Sequence, residues 1–213
     1  MSNTPSLIDS LVDDLNPVRP LRWRAGAGLV AAAFAATVAA VWLLAGFRAG
    51  LTHGQVSELF LITDGLMLVV GSSAAAAVIA MASPRVGSTH DNPKWAMAAL
   101  ALLPLSALLV WLAPPTTHPA LYQSSIDLHC VAWGSASAAL IAVALGWWLR
   151  RGAPVAPKLA GLYLGVASGA LGMAAYGLAC PDDQLFHLGI WHVIPVVLLG
   201  LLGRFAGPAI IRW

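Results

Sequence analysis

Charge is what this sequence has least of. Eleven Lys/Arg and nine Asp/Glu make up 9% of 213 residues, whereas a soluble domain carries about 25%, so a soluble globular domain is excluded. The cations are scattered and the formal net charge is only +2. Direct nucleic-acid binding, which needs a basic patch, is therefore not expected. Cysteine is nearly absent too: Cys130 and Cys180 stand alone, with no CxxC pair and no HExxH to fix a metal geometry locally. No phosphate-binding glycine loop and no nucleophile–base arrangement is present, so the chain is not expected to be an enzyme.

What fills the chain instead is apolar: 59% hydrophobic residues and a mean hydropathy of +0.80. Six runs approach the ~20 residues that cross a bilayer: 25–44, 59–81, 95–113, 130–149, 159–179 and 188–205. The expected fold class is all-α, a six-helix transmembrane bundle occupying 25–213, after a segment 1–24 that lies outside the membrane. The first run is too long for a cleavable signal peptide, and its leader carries Asp9, Asp13 and Asp14, so it is expected to remain as an anchor. With the N-terminus inside, Arg19, Arg22, Arg24, Arg85, Lys94, Arg150, Arg151, Lys158, Arg204 and Arg212 fall on the cytoplasmic side and only Arg48 outside. That asymmetry puts both termini in the cytoplasm and favours an even number of spans.

Within 1–24, Leu7, Ile8, Leu11, Val12 and Leu15 recur at helical spacing behind Thr4 and Pro5, which predicts a short amphipathic helix. A dozen residues is marginal alone and needs a surface. The polar face is Asp9, Asp13 and Asp14, which an anionic leaflet repels. A cytoplasmic protein partner fits better, with Asp13 and Asp14 meeting its basic residues.

Small residues Gly28, Ala32, Ala36 and Ala40 line one face of the first run, and Gly161, Gly165 and Gly169 one face of the fifth. Both faces are expected to pack on helices, the second within the bundle or across a homo-oligomer. Pro104 is expected to kink the third span. Asp64, about one and a half turns inside the second span, is a candidate for function or for an interfacial structural role.

The remaining chemistry converges on one face. In the six-span topology Cys130 begins the fourth span and Cys180 follows the fifth, so both reach the outer end together with Asp127, His129, Asp182, Asp183 and His187, and His192 lies a turn inside the sixth. Three chemistries fit: a Cys130–Cys180 disulfide, a thiolate–imidazole site for zinc, cadmium or copper, or a switch between the two. The candidate ligands are Cys130, Cys180, His129, His187, His192 and Asp127. No constitutive cofactor is expected.

The segment from Leu7 to Leu21, the six spans, Leu128-His129-Cys130 and the hairpin from Cys180-Pro181 to Trp191-His192 together resemble the NrsF family of bacterial membrane anti-sigma factors. The resemblance implies an inner-membrane protein whose cytoplasmic N-terminal segment holds an extracytoplasmic-function sigma factor inactive. It also implies that two periplasm-facing cysteines, Cys130 and Cys180 here, respond to heavy-metal or related stress. The competing readings are a haem- or quinone-binding redox protein, disfavoured because only His192 lies even partly within a span, and a small transporter, disfavoured because only Asp64 is ionisable at depth.

Overall fold

A computed structural model of the chain describes residues 9, 12, 13, 21–84, 92–112 and 124–211. Among them are eight α-helices: α1 (Trp23–Ala45), α2 (Glu58–Met81), α3 (Asn92–Leu100), α4 (Leu102–Trp111), α5 (Ser124–Ser137), α6 (Ala139–Arg150), α7 (Pro157–Gly177) and α8 (Val193–Ile211). They compose six helical stretches long and apolar enough to cross a membrane, each matching one of the apolar runs to within a few residues, apart from the last, which runs on to Ile211. α1, α2 and α7 are continuous, whereas α3 with α4 and α5 with α6 form one stretch each, and a π turn (His187–Trp191) leads into α8. Loops at each end interlock by backbone hydrogen bonds, Arg48 N–H to the Leu178 carbonyl (2.9 Å) at one end and Ala153 N–H to the Ala82 carbonyl (3.0 Å) at the other.

The interruptions have local causes. The third stretch breaks at Ala101, between α3 and α4. Pro104, a turn further on, has no N–H to give the Leu100 carbonyl. The fourth breaks at Ala138, against whose backbone Gly172 of α7 is pressed so closely that a Cβ there would lie 2.6 Å from the Ala138 nitrogen. The π turn keeps Gly189 within reach of the Leu103 carbonyl in α4, where a Cβ would come to 2.7 Å.

α7 is the axis of the molecule, with every residue over 165–177 buried. Its Gly161, Gly165 and Gly169 face pairs with α8 inside the bundle: a Cβ on Gly165 would collide with the Leu199 carbonyl, and one on Gly161 with that of Gly203. In a membrane, where tails are as apolar as side chains, such close backbone approach is a main source of helix association.

α1 corrects the expectation for its small face. Gly28, Ala32 and Ala36 are exposed. The buried residues are Gly26, Thr37 and Val41, because Gly26 lets Ile79 and Trp148 in to 2.8 and 2.9 Å of where a Cβ would stand. Gly28 is two residues, roughly 200°, round the helix from that contact and so faces away.

Candidate metal and thiol site

At the end of the bundle where α7 stops, the structure brings Cys130, Cys180, His187 and His192 together. α5 supplies Cys130, the loop after α7 supplies Cys180, the π turn supplies His187, and His192 follows it directly. All four are buried. One ligand atom from each lies within 4.8 Å of the others. The two sulphurs are 3.6 Å apart, and Cys180 Sγ is 3.5 Å from His187 Nε2. Around a zinc-sized ion with Zn–S ≈ 2.3 Å and Zn–N ≈ 2.0 Å, tetrahedral geometry asks for edges of about 3.8 Å between sulphurs and about 3.5 Å between sulphur and nitrogen. The donor set, two thiols and two imidazoles, is that of soft or borderline divalent ions and unlike the oxygen cages of magnesium or calcium.

The π turn matters to this arrangement. His187 and His192 are five residues apart, so in an α-helix they would sit roughly 140° apart. Widening the turn brings their rings to 5.2 Å, edge to face. His187 Nδ1 lies 3.7 Å from Asp182 Oδ2, the carboxylate–imidazole arrangement that orients metal-bound histidines. Asp182 Oδ1 in turn accepts from the Gln184 N–H at 2.8 Å, pinning the hairpin. His192 Nε2 is buried with no hydrogen-bond partner among the described residues, a position that costs about 1–3 kcal/mol when left unmet.

Cys130 and Cys180 are both free thiols. The contact with Cys130, followed by burial, holds the Cys180 thiol above its ordinary range, so the proton must be displaced before a thiolate forms. The Tyr176 hydroxyl lies 3.8 Å from Cys130 Sγ, and its ring stacks on Trp133 at 6.4 Å. Beside them opens a cleft of ≈ 560 Å³ whose lining includes His129, Cys130, Trp133, Tyr176 and Pro181.

Of the other expected ligands, His129 is not among the four. It is exposed and rests against Trp133 at 5.8 Å, since neighbouring positions on a helix point about 100° apart. The Asp127 side chain lies outside the described residues. So do Leu7, Ile8, Leu11, Asp14 and Leu15; Val12 and Asp13 are helical and exposed.

Three participants escaped the sequence reading. Tyr176 precedes Cys180 by four residues, which was the available signal. Asp182 was placed at this face without a role. Arg48, the lone cation expected on this side, pairs with Asp183 through two contacts of 2.7 and 2.6 Å. The pairing raises the Arg48 pKa and lowers that of Asp183. Asp64 packs against Gly177 at the end of α7.

No solved structure matches this sequence. It is 31% identical to the anti-sigma-F factor NrsF of Caulobacter vibrioides, over 99% of each chain. Over a shorter stretch, 29% of each chain, it is 31% identical to a probable anti-sigma-F factor NrsF of Azospira oryzae. The profile of the family described as NrsF, negative regulator of sigma F, matches residues 11–213. The chain therefore belongs to the NrsF family of negative regulators of sigma F.

Proposed function

We propose that this chain is an inner-membrane anti-sigma factor of the extracytoplasmic-function type, which holds its sigma factor through 1–24 and releases it when a soft divalent ion binds Cys130, Cys180, His187 and His192. The termini lie in the cytoplasm and the Cys/His site faces the periplasm, as the distribution of lysine and arginine asks. Burying Leu7, Ile8, Leu11, Val12 and Leu15 at roughly 1.5–3 kcal/mol each is enough for useful affinity after ordering costs. Two thiolates, two neutral imidazoles and a divalent cation sum to zero charge, which suits a site this deeply buried.

The observation that carries the metal reading over a plain disulfide is His192. A disulfide needs only the two sulphurs, whereas this buried imidazole also brings a nitrogen to within 4.8 Å of both sulphurs and of a His187 nitrogen. The test uses the full chain purified from membranes and titrated with Cd²⁺. One ion per chain with thiolate-to-metal absorption in the near ultraviolet, lost when both cysteines are replaced by serine, is the expected result. A parent chain that binds no Cd²⁺ sinks the metal reading. The partner site is tested separately: Leu11→Asp should free the sigma factor and raise expression of its target genes, and unchanged repression would remove 1–24 from the mechanism.

A further inference from the structure

The hairpin after α7 carries two adjacent aspartates with different partners. Asp182 stands beside the ligand His187, and Asp183 takes both arms of the Arg48 guanidinium. Arg48 is fixed three more ways. Its own N–H bonds the Leu178 carbonyl, two residues before Cys180; its guanidinium covers the Phe60 ring at 4.7 Å from the centroid; and its side chain is only 10% exposed.

The loop bearing Arg48 is itself closed. Leu51 N–H reaches the Arg48 carbonyl at 3.1 Å and Gln55 N–H that of Gly50 at 2.9 Å. A Cβ on Gly50 would collide with the Gln55 carbonyl. Between this loop and α1 lies Gly46, at φ 74°, where an added Cβ would meet none of the other described residues within 4 Å. Beyond Gly46, α1 is held lightly, burying only Gly26, Thr37 and Val41, and its far end is continuous in sequence with 1–24.

We infer that Arg48 is the positioning residue through which the state of the Cys130/Cys180/His187/His192 site reaches α1 and the segment before it. The inference rests on the metal reading above. Coordination exchanges the thiol protons and the 3.5 Å Cys180–His187 contact for bonds to one ion, and the displacement of Cys180 and His187 that follows moves the hairpin that holds both, and Asp183 with it. Arg48 passes that displacement to a rigid loop, Gly46 absorbs the change of direction, and α1 shifts as a body. The tightly packed α7, with every residue over 165–177 buried, does not have to repack.

The test measures Cd²⁺-driven release of the sigma factor from membranes containing the full chain, alongside Cd²⁺ binding by the purified chain. Arg48→Gln should keep one Cd²⁺ per chain and hold the sigma factor at rest, yet need at least tenfold more Cd²⁺ for release. The exchange Arg48→Asp with Asp183→Arg should restore the parent response. Release by Arg48→Gln at the parent concentration overturns the inference, and so does an exchange variant that binds Cd²⁺ without recovering release. Loss of Cd²⁺ binding in Arg48→Gln also overturns it, because the pair would then hold the site together and transmit nothing. A parent that binds no Cd²⁺ brings down the metal reading, and this inference with it. Should Arg48→Gln fail to accumulate, Arg48→Lys, which keeps the charge without the two-point contact, is judged by the same outcomes.

Discussion

Cys130 and Cys180 are 50 residues apart in sequence, and their sulphurs stand 3.6 Å apart, unbonded. That separation suits two sulphurs sharing one ion and is well beyond the ~2.05 Å of a disulfide. On the metal reading proposed above each thiol is one of two sulphur ligands in a four-ligand set, so neither is expendable. Cys130→Ser and Cys180→Ser are each expected to weaken Cd²⁺ binding by a hundredfold or more and to cut the thiolate absorption to half or less. Competition against a chelator of known affinity measures this. One variant retaining parent affinity would show that its sulphur does not bind the ion.

His192 offers a sharper separation of binding from folding. Its Nε2 is buried with no well-aligned hydrogen-bond partner among the described residues, so in the metal-free chain the ring is a burden of about 1–3 kcal/mol. His192→Leu, of similar size, should leave metal-free stability unchanged or raise it by about 1 kcal/mol, while abolishing tight Cd²⁺ binding. Thermal unfolding in detergent, with and without Cd²⁺, reads both effects. If the metal-free variant were clearly less stable than the parent, the imidazole would be a structural group and its role as a waiting ligand would fall.

The spans were legible because a bilayer demands about 20 apolar residues whatever the packing, and composition alone reveals them. Cys130, Cys180, His187 and His192 were legible as a group because six crossings return them to one end. His129 does not join them, because on α5 it points about 100° away from its neighbour Cys130. Gly28 and Gly26 make the same point, since the alanine-rich first run offers small residues on several faces. Only the partner, through Ile79 and Trp148, selects one of them. The π turn at His187–Trp191 has no sequence signature, yet it is what brings the two imidazoles together.

The contrast between two glycines follows from that geometry. Gly165→Ala would drive a methyl group into the Leu199 carbonyl, and backbone cannot yield as a flexible side chain can. The variant is expected to lose several kcal/mol and to accumulate poorly in membranes. Gly28→Ala meets none of the described residues within 4 Å and gains about 1 kcal/mol of helix propensity, so it should be neutral or slightly stabilising. Unfolding midpoints of the two variants check this; a harmless Gly165→Ala would mean that α7 and α8 are not packed this closely.

The Arg48–Asp183 pair makes stability depend on acid. Its hydrogen bonds to Arg48 hold the Asp183 carboxyl below its ordinary range, so the folded chain binds that proton less readily than the unfolded chain does. The pair's contribution is therefore complete above an unfolded pKa of about 3.9 and is lost as pH falls through the lower, folded value. Its size is about 1 kcal/mol, discounted for the solvent that reaches Asp183, which is 31% exposed. Unfolding midpoints of the parent and Asp183→Asn, taken from pH 7 down to pH 3, should differ by a constant amount to about pH 4 and converge below it. A difference that persisted unchanged at pH 3, or grew there, would show that the Asp183 carboxylate does not draw its stabilising effect from ionisation beside Arg48.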